Sequence, residues 1–350
     1  MLRILDANLN RIGEGLRLLE DIARFVLNDS DVSEQLKVLR HQLTPRERLF
    51  EIKLLSNRRA GEDVGAFLDV AGEAERADLI SLVSANSRRV QESLRVLEEI
   101  AKIPDQNFGL DWEKPKHARF ALYELEQKMV FKLLRRQKRE KVAGLYVIID
   151  AQVLRGRNEV ELAQQAIKGG AKIIQFRDKL RTKGKLLPLA QQLRKACAES
   201  GVIFLVNDHL DLVLASDADG LHIGQEDLPL ATARKLLPGD KIVGCSAATL
   251  GEALEAEEQG ADYIAVGSIF VSPSKPGTRL AGVETLREVK RKVSVPVVAI
   301  GGINEENVAN VISAGADAVA VISAVLGADD VEEASRRLTA RIETAKKDAG

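Results

Sequence analysis

The sequence contains little cysteine, few aromatic residues and almost no net charge. Two cysteines among 350 residues, Cys197 and Cys245, form neither a disulfide framework nor a zinc site. A formal net charge of -1 gives no reason to expect nucleic acid or a membrane surface as a partner. No apolar run is long enough to span a bilayer, and Met1–Asn10 lacks the pattern of a secretory signal. We therefore predict a cytoplasmic protein.

The first part of the chain carries an internal repeat at helical spacing. The segment Ala7–Ala23 returns as Ala85–Ala101 with a constant offset. Polar residues are repeated as well as apolar ones. The first copy contains Asn8, Arg11, Glu14, Arg17 and Glu20, and the second copy has the same residue types at Asn86, Arg89, Glu92, Arg95 and Glu98. This pattern predicts a duplicated all-α unit in which each copy covers the apolar face of the other.

The repeated polar residues allow two interpretations. Glu14 with Arg17, and Arg17 with Glu20, could pair along the helix and give a structural or interaction domain. Alternatively, Arg11 and Arg89 could hold an anionic ligand in a two-fold pocket. We favour the first interpretation.

A basic run over residues 132–139 ends the helical segment. The helix dipole favours cations in such a solvated last turn. No aromatic residues interleave the charges, so nucleic-acid binding has little support. We place the domain boundary here, with an all-helical domain over residues 1–141 and a second domain over residues 142–350.

After residue 142, short apolar runs alternate with helical patterns. Eight buried strands are predicted: Leu145–Asp150, Ile173–Asp178, Ile203–Asp208, Gly220–Gln225, Ile242–Ala247, Tyr263–Phe270, Val297–Ile303 and Ala318–Ala324. Eight strand–helix units predict the α/β class and a (β/α)8 barrel. An open doubly wound sheet is the alternative, because strand order cannot be read from the sequence.

The predicted strand ends carry polar side chains, where the chemistry of a barrel is located. Pleating places Gln175, Arg177 and Lys179 on one side of the second strand and Phe176 and Asp178 on the other. Asp208 and Asp227 end neighbouring strands. Paired carboxylates near cations suit a Mg²⁺ ion that keeps several waters and also contacts substrate phosphates.

Glycines and polar groups at later strand ends predict a phosphate site. Gly301-Gly302 and Ile322-Ser323 follow the last two strands, where barrels bind phosphate through backbone N–H groups. The segment from Ser272 to Gly282 contains Lys275 and Arg279 and resembles a loop that closes over a phosphorylated substrate. No protein nucleophile is evident. We therefore predict Mg²⁺-assisted displacement of a phosphorylated leaving group.

Together these motifs resemble those of the thiamine-phosphate synthase family. In chain order they are Gln175–Lys179, Asn207-Asp208, His222–Asp227, Gly244–Ser246, Ser272–Lys275, Gly301-Gly302 and Ile322-Ser323. The resemblance covers the chain from about Gly144 onward. It implies a (β/α)8 barrel that joins 4-amino-5-hydroxymethyl-2-methylpyrimidine diphosphate to 4-methyl-5-(2-phosphoethyl)thiazole, releasing diphosphate and thiamine phosphate.

The resemblance also implies roles for individual residues. The pyrimidine diphosphate would be held by Gln175, Phe176, Arg177, Asp178, Lys179, Asn207, Ser246 and Lys275. Among these, Arg177, Lys179, Ser246 and Lys275 would be the catalytic contacts. Mg²⁺ would be bound by Asp208 and Asp227. The thiazole phosphate would be held by Ser272, Pro273, Ser274, Gly302, Ile322 and Ser323.

Some positions depart from the family pattern and leave alternatives open. Ser272 and Ser274 replace threonines, and Val271 stands where proline is common. A thiazole tautomerase is one alternative, although its characteristic histidine after strand six is Ser268 here. A non-catalytic sensor of thiamine phosphates is another.

The helical half resembles a domain fused to thiamine-phosphate synthases. That resemblance implies an action on the hydroxymethylpyrimidine phosphate precursor, and a kinase activity is a hypothesis. The expected partners of the whole chain are small-molecule substrates, and a homo-oligomer is possible.

Overall fold

A computed structural model describes residues 1–43, 48–58, 76–103, 111, 113–154, 156–271 and 279–349. The chain divides into two compact units, Met1–Leu134 and Arg135–Gly350. No helix among the described residues is long and apolar enough to cross a membrane. The domain limits at residues 141 and 142, the cytoplasmic location and the oligomeric state stay predictions.

The first unit is helical in its described part, as predicted. Its helices are α1 (Leu2–Asp21), which continues into a π-helical turn (Ile22–Val26), α2 (Ser30–Leu43), α3 (Arg48–Ser56), α4 (Leu79–Ala101) and the first part of α5 (Glu113–Glu140). The repeated segments α1 and α4 pack against each other. A Cβ atom at Gly15 would lie 2.5 Å from Val90 Cγ2, so the absence of a side chain at Gly15 permits this close crossing.

The repeat also extends to buried ion pairs. Glu20 is buried and lies 2.9 Å from Arg40 Nη2 on α2. Its copy Glu98 is buried and lies 2.8 Å from Arg119 Nε on α5. The two carboxylates thus face equivalent arginines on the helix that follows each repeated segment. The duplicated unit therefore comprises a helix pair rather than a single helix.

The pairing predicted along the helix is partly confirmed. Arg17 lies 3.8 Å from Glu20, and the copy Arg95 lies 2.9 Å from Glu98. The predicted Glu14–Arg17 pair is wrong, because no ion pair joins these two described residues. The repeated Asn8 and Asn86 each donate a hydrogen bond to the carbonyl four residues earlier in their own helix.

The second unit is a closed barrel of eight parallel strands. They are β1 (Gly144–Asp150), β2 (Ile173–Arg177), β3 (Ile203–Asn207), β4 (Gly220–Ile223), β5 (Ile242–Ala247), β6 (Tyr263–Val266), β7 (Val297–Ile300) and β8 (Ala318–Val321). The strands follow chain order around the ring, and β8 pairs with β1. The predicted barrel is confirmed, and the open doubly wound sheet is excluded.

Helices connect the strands around the barrel. They are α6 (Glu159–Lys168), α7 (Lys183–Glu199), α8 (Leu210–Ser216), α9 (Leu230–Leu236), α10 (Leu250–Glu258), α11 (Gly282–Lys292), α12 (Val308–Ser313), α13 (Ser323–Leu326) and α14 (Val331–Ala349). Along β1, Leu145, Val147 and Ile149 pack toward the helices, whereas Tyr146 and Ile148 fill the barrel interior. Both faces of the strands are therefore buried, which explains their nearly continuous apolar sequences.

Six predicted strands extend past the observed strand ends by one to four residues, and β6, β7 and β8 do so by the most. Strands β6, β7 and β8 end at Val266, Ile300 and Val321, before the predicted polar ends. Gly301 has a positive φ of 102°, a conformation that no regular strand accepts, so the chain leaves β7 at this residue.

The basic end of α5 is not simply solvated, which corrects that interpretation. Arg135 Nε lies 3.2 Å from Asp262, and Lys138 Nζ lies 3.2 Å from Asp240. Asp262 also accepts a hydrogen bond from the backbone N–H of Val243. Asp240 precedes β5 and Asp262 precedes β6, so both lie at the end of the barrel opposite the strand carboxyl ends, where contacts serve stability.

Candidate active site

A cavity of about 910 Å³ opens at the carboxyl ends of the strands. It is lined by ten of the predicted site residues: Gln175, Arg177, Lys179, Asn207, Asp208, Asp227, Ser246, Gly302, Ile322 and Ser323. They come from strand ends distributed around the ring, and only barrel closure brings them together. Ser272, Pro273, Ser274 and Lys275 lie outside the described residues.

Two of the predicted substrate contacts, Phe176 and Asp178, do not line the cavity. Phe176 is buried in the layer between the strands and the helices and does not line the cavity. The carboxylate of Asp178 accepts hydrogen bonds from the backbone N–H groups of Leu180, at 2.7 Å, and Arg181, at 3.1 Å. Strand pleating explains both positions, because alternate side chains point away from the barrel interior. Asp178 instead fixes the loop that carries Lys179.

Asp208 and Asp227 form an acidic pair at the ends of β3 and β4. The Asp208 carboxylate lies 3.0 Å from Lys179 Nζ, and the Asp227 carboxylate accepts a hydrogen bond from Gly224 N–H at 2.7 Å. Burial, followed by the hydrogen bond to Asp208, raises the pKa of Asp227 above its ordinary value. Two carboxyl groups in such contact share a proton or a cation.

The donor set of this pair fits Mg²⁺. Among the described residues, no cluster of three or more histidine, cysteine or acidic side chains surrounds a possible metal position. A cation between Asp208 and Asp227 would therefore take its remaining ligands from water and from substrate oxygens. Mg²⁺ is commonly bound in this way, by one or two carboxylates together with phosphate oxygens.

Arg177 is held by a carboxylate that the sequence did not identify. Asp150 and Arg177 are paired in the β1–β2 register, and Arg177 Nη1 donates to the Asp150 carboxylate. Their side chains are only 4% and 11% exposed, for Asp150 and Arg177 respectively. In the sequence, Asp150 is the polar residue that ends the first apolar run of the barrel. This position at a strand end is the feature by which Asp150 could have been identified as a site residue. The Asp150 carboxylate orients the guanidinium toward the cavity.

A chain of buried hydrogen bonds crosses the floor of the cavity. Gln175 Nε2 donates to Tyr146 Oη at 2.5 Å, and this hydroxyl lies 3.2 Å from Tyr263 Oη. His222 joins Tyr263 Oη through Nδ1 at 2.9 Å and Ser246 Oγ through Nε2 at 3.0 Å. The chain connects five strands and ends at Gln175 and Ser246.

The tyrosines of this chain are neutral donors and acceptors. Burial raises the pKa of Tyr146 and of Tyr263, so both hydroxyls keep their protons. Both residues lie inside apolar strand sequences. The sequence alone therefore does not show whether such a tyrosine is an ordinary core residue or directs its hydroxyl group into the barrel. His222 belongs to a recognised motif, but its place between two hydroxyl groups follows only from the structure.

The opposite side of the mouth is built from glycine. Gly301 and Gly302 both have positive φ angles, and a Cβ atom at Gly302 would lie 2.7 Å from the Val271 carbonyl oxygen. Only glycine fits such a close approach. Gly301, Gly302 and Ser323, the first residue of α13, line the same cavity.

Cys245 provides no nucleophile for the cavity. It packs in the layer between the strands and the helices, and burial raises the pKa of its thiol to about 11. The thiolate that would act as a nucleophile is therefore scarce at neutral pH.

The profile of the thiamine monophosphate synthase family matches residues 145–325. The chain belongs to the thiamine-phosphate synthase family. A thiamine-phosphate synthase of Synechocystis is 40% identical, over 97% of this chain and 96% of its own length. The resemblance drawn from the motifs is thus confirmed.

The barrel alone corresponds to whole thiamine-phosphate synthases. One from Methanocella arvoryzae is 51% identical over 57% of this chain and 94% of its own length. A solved structure of a thiamine phosphate pyrophosphorylase from Pyrococcus furiosus is 41% identical and covers 59% of this chain and 98% of its own, with a TM-score of 0.55. Residues 3–128 match the ThiD2 family separately.

Proposed function

We propose that the barrel joins the pyrimidine diphosphate to the thiazole phosphate and releases diphosphate and thiamine phosphate. The observation that carries this proposal is the pair Asp208 and Asp227 beside Lys179, in the same cavity as the glycine turn at Gly301 and Gly302. One cavity thus offers a cation site and two separate places for anions. In a member of this family, these features match a metal-assisted reaction between two phosphorylated substrates.

Asp208 and Asp227 would hold Mg²⁺. When bound, this ion would neutralise negative charge on the departing diphosphate. Arg177 and Lys179 bind and orient the same diphosphate through charge-assisted hydrogen bonds. The two cations themselves differ in exposure. Arg177 is fixed by buried Asp150, whereas Lys179 is half exposed beside Asp208.

The remaining groups orient the rings and need not react. Gln175 and Ser246 present fixed polar groups to the pyrimidine, because each is held at one end of the buried chain. The bond between the pyrimidine methylene and the diphosphate oxygen breaks, and its electron pair leaves with the diphosphate. The lone pair of the thiazole nitrogen then forms the new carbon–nitrogen bond. No protein nucleophile is consumed.

The deciding experiment measures product. Purified protein is mixed with both substrates and Mg²⁺, and thiamine phosphate is quantified with and without EDTA. We expect product that depends on the metal and that is lost in Asp208→Asn. Unchanged turnover in this variant would refute the metal assignment, and no product from folded wild-type protein would refute the proposed reaction.

The two alternatives receive less support from the site. At the position of the tautomerase histidine, Ser268 donates a hydrogen bond to the Phe270 carbonyl and offers no base. A sensor would bind thiamine phosphate without turnover, and the same product assay separates that outcome.

For the helical unit we propose a role related to the pyrimidine phosphate precursor. The match to the ThiD2 family supports this proposal. Arg11 and Arg89 are exposed and have no ion-pair partner among the described residues, although the repeat keeps both. The full-length protein is incubated with ATP and hydroxymethylpyrimidine phosphate, and ATP consumption is measured. No consumption would refute a kinase role, and consumption unaffected by Arg11→Gln with Arg89→Gln would refute a role for these arginines.

A further inference from the structure

A further ion pair faces the cavity and has no role in the reaction described above. Arg279 Nη1 lies 3.1 Å from Glu252 Oε1, and both residues line the cavity. A carboxylate at a mouth that admits two anionic substrates repels both of them. Glu252 therefore requires an explanation other than direct contact with phosphate.

Glu252 is held in one position by its own helix. Its Oε2 atom accepts a hydrogen bond from Ala248 N–H at 2.6 Å, and its backbone N–H donates to Thr249 Oγ1 at 3.2 Å. These two bonds close the first turn of α10 and leave Oε1 for Arg279. Glu252 thus presents a fixed acceptor beside the cavity.

Arg279 combines a tethered backbone with an exposed side chain. Its carbonyl accepts a hydrogen bond from Ser268 N–H at 3.3 Å, and Ala281 N–H donates to the Ser268 carbonyl at 2.8 Å. The Arg279 side chain is 66% exposed, against 25% for Glu252. An exposed ion pair contributes little free energy, so an incoming phosphate can take the guanidinium from Glu252.

The backbone of Arg279 lies on the glycine-turn side of the cavity. Ser268, to which its backbone is tethered, packs directly against Gly301, and Phe270 and Val271 pack against Gly302. Arg279 is therefore anchored beside the glycine turn at the ends of β6 and β7. Lys179 follows β2, which lies four strands away in the eight-stranded ring.

We propose that Arg279 binds the phosphomonoester of the thiazole substrate and that Glu252 is its positioning residue. Glu252 holds the guanidinium at the cavity wall until the phosphate arrives. This inference rests on the proposed function and adds to it one substrate contact and the residue that places it.

The test separates the Michaelis constants of the two substrates. A charge-assisted hydrogen bond lost in Arg279→Gln should raise KM for the thiazole phosphate on the order of tenfold to a hundredfold. KM for the pyrimidine diphosphate and the melting temperature should stay unchanged. Arg291→Gln, which removes an exposed arginine on α11, serves as the matched control and should change neither KM.

A double-mutant cycle tests the role of Glu252. Glu252→Ala should raise KM for the thiazole phosphate, and Glu252→Gln, which keeps a carbonyl oxygen, should restore part of the loss. Because Glu252 acts through Arg279, the double variant Glu252→Ala with Arg279→Gln should be no worse than Arg279→Gln alone. Glu258→Ala, an exposed glutamate on α10, controls for changes to the helix.

Three results would overturn the inference: an unchanged KM for the thiazole phosphate in Arg279→Gln, an equal rise for both substrates, or additive effects in the cycle. Calorimetric binding of the thiazole phosphate keeps this test independent of catalysis. If wild-type protein makes no thiamine phosphate, the proposed function fails. Weaker binding by Arg279→Gln would still support the contact, and equal binding would overturn it.

Discussion

Removing the carboxylate of Asp150 should destabilise the barrel, because Arg177 would be left without its buried partner. Breaking a buried ion pair from one side costs about 3–5 kcal/mol. Arg177 keeps 11% exposure and faces the cavity, so water solvates it in part and the lower end applies. The Gln152 N–H that donates to Asp150 at 3.0 Å loses its acceptor, which adds about 1 kcal/mol. We expect Asp150→Ala to lower the free energy of unfolding by about 3–4 kcal/mol.

The free energy of unfolding is measured by urea denaturation of the full-length protein. Hydrogen exchange of the strand amides reports the stability of the barrel separately. Asp211→Ala is the matched control, since the Asp211–Lys183 pair spans only 2.6 Å but is 57% exposed at the aspartate. Exposed pairs contribute about 0–1 kcal/mol, so this control should lose little stability. Equal losses in the two variants would show that burial does not determine the effect. A loss below about 1 kcal/mol for Asp150→Ala would refute the reasoning.

Three further predictions concern titration and hydrogen bonding. Because the pKa of Asp227 is raised, protons compete with Mg²⁺ at a higher pH than at an ordinary aspartate, and the Mg²⁺ affinity measured by calorimetry should weaken as the pH falls toward that pKa. Asp208→Asn removes the neighbouring carboxylate and should lower the pKa of Asp227 measured by NMR. Tyr263→Phe removes the hydroxyl that bonds to His222 and so interrupts the buried hydrogen-bond chain; it should raise KM for the pyrimidine diphosphate about tenfold. An unchanged KM would show that these hydrogen bonds do not position the pyrimidine ring. Burial alone would raise the pKa of Glu98, but Arg119 and Arg95 lower it overall. Its contribution to stability is therefore present above the pKa of the unfolded chain and lost as pH falls through the lower folded-state value, and Glu98→Gln should remove that pH dependence from thermal unfolding.

Much of the fold was predictable because the patterns that encode it are local. The apolar runs of the strands and the repeat of Ala7–Ala23 as Ala85–Ala101 lie in contiguous sequence, and the structure confirms eight strands and packed duplicate helices. Strand ends were less predictable. A glycine with a positive φ, such as Gly301, ends a strand without interrupting the apolar pattern.

The candidate site was predictable in its motifs but not in its contacts. Arg177 was recognised, whereas its partner Asp150 was not, because the two residues meet only across the β1–β2 register. Phe176 and Asp178 belong to the same motif as Arg177, yet strand pleating turns them away from the cavity. The Glu252–Arg279 pair likewise joins segments that follow different strands.

The sequence by itself determined the succession of strands and helices along the chain, the duplicated helical segments and the residue types that follow the strands. These follow from hydrophobic periodicity and backbone preference, which act between near neighbours in the chain. Tertiary structure alone decided which of these residues share the cavity and which carboxylate pairs with each cation. Barrel closure and strand register set those distances, and the strength of a charge interaction depends on distance and burial rather than on position in the sequence.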